Sequence, residues 1–68
     1  MDEVKYPNIT VELVGQNGNA FNLMGLVNQA LRKGKVSQEE RNLFMKEAMS
    51  SGSYDNLLVT LMKWVNVE

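Results

Sequence analysis

The sequence predicts a small α+β domain of order β-α-α-α-β, its first and last strands paired and its helices on one face. Three observations carry this expectation. A β-branched segment near the start alternates at period two, three middle segments space their apolar residues at helical intervals, and the last residues alternate again. At 68 residues the chain holds one domain. Met1 to Pro7 reads as a polar lead-in, with Pro7 biasing Tyr6 toward extended backbone.

The first strand is expected at Ile9–Val14. Ile9, Val11 and Leu13 point one way, toward the helices, and Thr10, Glu12 and Val14 the other. Gly15-Gln16-Asn17-Gly18-Asn19 ends it, since glycine and asparagine tolerate turn conformations that other residues resist. Asn17-Gly18 is a hairpin dipeptide. The next segment is not a returning strand but the helical stripe Ala20, Met24, Val27, Leu31, with Leu23 and Ala30 beside it. Asn17 or Asn19 caps this helix. It runs to about Lys33, with Gly34 at the left-handed stop and Arg32 and Lys33 suited to the C-terminal dipole.

Ser37-Gln38-Glu39-Glu40 has the pattern of a capping box, Ser37 bonding the Glu40 amide and the Glu40 side chain reaching back. A second helix then runs to about Ser50, with Leu43, Phe44, Glu47 and Ala48 on one side and Gly52 as the stop. Ser53 or Asp55 caps a third helix, whose stripe is Leu57, Leu58, Leu61 and Met62. Trp64 to Glu68 alternates and is β-branched at Val65 and Val67, which predicts a short strand. Leu58, Leu61, Met62 and Val65 also fit one continuous helix, so two readings of this end stand side by side. Pairing the two terminal strands satisfies the backbone groups of both.

Two segments resemble a known family. They are Ile9-Thr-Val-Glu-Leu-Val-Gly-Gln-Asn-Gly-Asn-Ala-Phe21 and Ser51-Gly-Ser-Tyr-Asp-Asn-Leu-Leu-Val-Thr-Leu-Met-Lys-Trp-Val-Asn-Val-Glu68. They are similar to small uncharacterised bacterial proteins, some carried on phage or plasmid DNA. Those run strand, glycine turn with Gly-Asn-Ala-Phe, helix, and a Tyr-Asp-x-Leu-Leu segment ending in a tryptophan strand. The position of Ser53 is often acidic in that family, so no charge-based role carries over to it. The resemblance implies a fold and transfers no catalytic or binding residue.

Composition excludes several function classes. Seven basic residues against eight acidic ones give a net charge of −1, which exerts no long-range pull on nucleic acid or anionic lipid. Arg32, Lys33, Lys35 and Arg41 form a local basic cluster, but Glu39 and Glu40 adjoin it. Cysteine and histidine are both absent, so neither a disulfide nor the usual structural zinc site is available, and no cofactor is expected. The start of the chain has no apolar core of a signal peptide, and no apolar run approaches a membrane span. A cytoplasmic protein is expected. Ser53, Tyr54 and Asp55 gather polar groups at one helix start. Without a partner base they read as caps and packing, and no enzyme is expected.

Two candidate sites remain. Met45 and Met49 widen the apolar arc of the second helix, and with Trp64, Val65 and Val67 of the terminal strand they make a candidate partner-binding surface. A strand edge next to that surface also favours a weak homodimer. Gly15, Asn17, Gly18 and Asn19 precede a helix N-terminus and offer backbone amides to an anion, although neither a Walker loop nor a dinucleotide fingerprint is present. The sequence therefore favours a non-enzymatic interaction or accessory protein. An anion- or small-ligand-binding module is the first alternative, and a phage- or plasmid-type nucleic-acid-associated regulator the second.

Overall fold

A computed structural model describes residues 4–13, 15 and 18–68. Their order is β1 (Tyr6–Val11), α1 (Ala20–Lys33), α2 (Gln38–Met49), α3 (Tyr54–Trp64) and β2 (Val65–Val67). The two strands pair with each other, in parallel. A parallel pair needs a crossover, and the three helices supply it. α1 packs on β1, α2 packs on α1 and α3, and α3 leads directly into β2. Ile9, Val11 and Val65 from the sheet join Leu23, Val27, Leu31, Phe44, Leu57, Leu61 and Trp64 in a single core. Leu13 packs half-buried at its margin.

The first strand begins three residues earlier than the alternation at Ile9–Val14 suggests, and it ends at Val11. Tyr6 and Pro7 thus belong to β1 and not to a lead-in; Val14 lies outside the described residues. The reason is a bulge. Tyr6 pairs with Val65 and Thr10 with Asn66, so β1 advances from 6 to 10 while β2 advances from 65 to 66. Pro7 has no N–H to give a ladder, and a bulge on an edge strand is where it costs least. The Asn66 side-chain amide donates to the Pro7 carbonyl and satisfies an acceptor that the ladder misses. Beyond the bulge the pairing is regular: the Glu68 amide donates to the Val11 carbonyl (2.9 Å), and the Leu13 amide donates to the Glu68 carbonyl (2.7 Å).

α1 starts at Asn19, whose side-chain oxygen accepts from the Phe21 amide at 2.9 Å. It ends in a Schellman motif, with the Val36 amide on the Leu31 carbonyl and the Lys35 amide on the Arg32 carbonyl, both at 3.0 Å. The left-handed residue of that motif is Lys35, at φ +66°, and not Gly34, whose φ is −79°. Gly34 is small for a different reason. A Cβ there would stand 2.5 Å from Cδ1 and 3.1 Å from Cγ1 of Ile9, so a bare backbone lets the end of α1 close onto β1.

Ser37 caps α2, accepting from the Glu40 amide at 3.2 Å. Only that half of the capping box forms, because the Glu40 carboxylate turns to Lys5 and Tyr6 instead. Phe44 and Ala48 are buried as the stripe requires, but Leu43 is 51% exposed. Gly52, at φ +89°, makes the turn to α3 in a conformation that costs other residues about 1 kcal/mol or more. Of the two candidate caps for α3, Ser53 is the one used, accepting from the Asn56 amide at 3.1 Å. Leu57 and Leu61 of its stripe are buried; Leu58 is half-buried and Met62 is half-exposed. The helix stops at Trp64, which is thus its last residue and not part of the strand. Val65, at φ −140° and ψ 164°, is already extended.

Candidate functional site

α1, α2 and α3 meet at one end of the helical layer around an open groove of about 370 Å³. Met24, Ala48 and Leu57 form its buried floor. Its walls are Phe21 from the first turn of α1, Met49 from the end of α2 and Tyr54 from the start of α3, which are 72%, 66% and 45% exposed. These side chains stay out of the core because each lies at a helix end, off the stripe that packs inward. The Tyr54 hydroxyl donates to the Gly18 carbonyl at 2.6 Å, which pins the ring between the α3 start and the turn before α1. The floor is preformed by core packing, and the walls are large, apolar and solvent-facing. Such a site takes an apolar side chain and offers little to a charged one.

The expected partner-binding residues separate in three dimensions. Met49 overhangs the groove. Met45, one turn earlier, is half-buried against the core. Trp64 is 4% exposed and Val65 fully buried, so both act as core, while Val67 is half-buried and lines a second groove of about 330 Å³ with Leu13, Leu58 and Met62. Phe21 and Tyr54, the residues that complete the first groove, were not among the expected contacts. The sequence carries a signal for Phe21: it sits one position off the Ala20–Met24–Val27–Leu31 stripe, a large aromatic where a helix shows water a polar face.

The residues of the expected anion-binding turn are placed as follows. Gly15 is at φ +83°, the Gly18 carbonyl accepts from Tyr54, and the Asn19 side chain caps α1; Asn17 lies outside the described residues. Of the basic cluster, Arg41 turns its Nε to the Val36 carbonyl at 3.3 Å, while Arg32, Lys33 and Lys35 are exposed. Among the described residues no group of three or more acidic side chains is placed to hold a metal ion. Nor is any described helix long and apolar enough to cross a membrane.

Polar groups concentrate instead around Trp64. Its indole N–H donates to Glu47 at 3.2 Å, its ring stacks on Tyr6 at 6.0 Å and meets Phe44 edge-on at 5.4 Å. The Lys5 ammonium lies 4.2 Å from the ring centroid and 2.8 Å from the Glu40 carboxylate, which also accepts from the Tyr6 hydroxyl at 3.1 Å. This group fastens the start of β1 to α2 and α3. The hydrogen bonds from Lys5 and then from Tyr6 hold the Glu40 carboxyl below its ordinary value. The bond to Glu40 raises the Lys5 ammonium, and partial burial followed by the same carboxylate raises the Tyr6 phenol.

A carboxyl with a depressed folded pKa adds stability above its unfolded value and loses it as pH falls through the folded one. Wild-type protein should therefore lose stability relative to Glu40→Gln as pH drops below about 4.5, with the two parallel from about pH 5 to about pH 9. Urea melts of both across that range read the difference. Parallel curves down to about pH 2 would show that Glu40 contributes nothing through its charge.

No protein-family model, curated protein sequence or solved structure matches this chain.

Proposed function

We infer that this chain is a non-enzymatic interaction or accessory protein that takes an apolar side chain of a protein partner into the groove walled by Phe21, Met49 and Tyr54. The observation that carries the reading is the exposure of those three large side chains around one preformed apolar floor. Apolar surface of this kind in a small domain is costly to leave wet and gains free energy when covered, roughly 25 cal/mol for each Å². The mixed charge and the lack of cysteine suit a cytoplasmic setting.

The test begins with capture of partners from an extract of the source cell and ends with a purified pair measured by titration calorimetry. Phe21→Ser with Met49→Ser should weaken the complex by at least about tenfold, since each truncation removes a buried apolar contact worth roughly 1.5 kcal/mol or more. Leu43→Ser, exposed but outside the groove, should leave it unchanged. Equal affinity for wild type and the double variant, or no saturable complex at all, would end this assignment.

A further inference from the structure

The outward face of α3 carries a second feature that the groove at the helix ends does not use. Leu57, Thr60, Leu61 and Trp64 turn inward and Leu58 packs half-buried at the margin of the core, which leaves Val59 and Met62 facing outward. Val59 is 45% and Met62 50% exposed, so α3 shows water more apolar side chain than α1 or α2 does along its middle. The second groove, lined by Leu13, Leu23, Leu58, Met62 and Val67, continues this apolar face toward the strand ends.

The charges on this helix are arranged as a palindrome. Asp55 stands in the first turn and Lys63 in the last, both exposed, each four residues from Val59. At 1.5 Å rise per residue they lie about 12 Å apart along the axis. A two-fold axis crossing α3 at Val59 sets Asp55 against the partner's Lys63, and does so twice. It also lays Val59 on the partner's Val59 and runs the two helix dipoles antiparallel. A parallel arrangement would instead set like charges opposite each other. An unrelated helix need not carry this symmetry, whereas a second copy carries it by construction.

We propose that two copies of this chain associate through α3, antiparallel and centred on Val59, with Asp55 and Lys63 paired across the interface. The assembly is weak. One face of an eleven-residue helix buries on the order of 400 Å² per copy, which places the complex below the range of standard interfaces. A dissociation constant on the order of 0.1 mM fits such a contact. Tyr54 borders both grooves, but Phe21 and Met49 lie outside this surface, so variants at those two residues test the two assignments separately.

Sedimentation equilibrium from about 10 μM to about 1 mM tests it, spanning the expected midpoint on both sides. The average mass should rise from 7.7 kDa toward twice that value and no further. Val59→Glu, which sets two carboxylates on the symmetry axis, should weaken association at least tenfold. Asp55→Lys and Lys63→Asp should each weaken it, and the two together should restore it, because the exchange regenerates the opposite pairing. Phe21→Ser with Met49→Ser should change nothing here. Circular dichroism and melting check that each variant is folded at the temperature used. A constant 7.7 kDa, a mass growing past the dimer, an association indifferent to Val59→Glu such as one through the outer edge of β1, or a charge exchange that fails to restore would each overturn the proposal.

Discussion

Replacing Phe44 with alanine should destabilise the protein by about 4 kcal/mol, near the top of the range for a single core truncation. Phe44 is fully buried and meets the Trp64 ring edge-on at 5.4 Å. More important is what it does for α2. That helix buries only Phe44 and Ala48, with Met45 half-covered; its other apolar side chains, Leu43 and Met49, face water. Without the ring, α2 keeps a methyl group and one half-buried methionine to hold it on α1 and α3. A domain of this length has roughly 3–10 kcal/mol of stability in total, so the variant should be largely unfolded near 37 °C. Trp64 is the only tryptophan and touches Phe44, so its fluorescence in a urea titration reads the transition directly. Phe44→Leu, which keeps most of the volume, should cost about 1.5 kcal/mol. A loss below about 2 kcal/mol for the alanine variant would mean that α2 is held chiefly by its polar links to Lys5, Tyr6 and Trp64.

Gly34→Ala should cost about 1.5 kcal/mol even though the site is exposed and its backbone is unstrained. Alanine adopts φ −79°, ψ 6° without penalty, and it restricts the unfolded chain, which alone would stabilise by roughly 0.5 kcal/mol. The opposing effect is steric. The new methyl lands 2.5 Å from Ile9 Cδ1, and Ile9 is packed in the core with little room to turn away. Ile9→Val removes that δ-carbon and by itself costs about 1 kcal/mol. The two changes together should therefore cost clearly less than their sum, by about 1 kcal/mol in a double-mutant cycle. Strict additivity would show that the end of α1 does not press on β1.

Much of the fold was legible because its signals are local. The stripe Ala20, Met24, Val27, Leu31 placed α1, and Ser37 placed the start of α2, since caps and periodicity depend on neighbours three or four residues away. The alternation at Val65 and Val67 anticipated β2, although Leu58, Leu61, Met62 and Val65 read equally well as continued helix. Only the pairing with β1 decides between them: the extended Val65 buries its side chain completely and the backbone of β2 finds partners across the ladder.

Other features have no local signal. Nothing near Glu40 in the chain reveals that Lys5 and Tyr6 will draw it away from Ser37, for the competing donors arrive from 34 and 35 positions away once β1 is in place. A β strand beginning at Tyr6 is likewise hidden by Pro7 until the Asn66 amide is there to meet its carbonyl. The candidate site shows the same division. Met49 was visible as an off-stripe methionine, but its groove exists only where three helix ends converge, and Trp64 and Val65 left the expected surface because the core closed over them. Composition and short-range pattern settle which elements form and where most of them start and stop. Which side of each element meets water is settled by the other elements, because burial depends on contacts that no short stretch of chain contains.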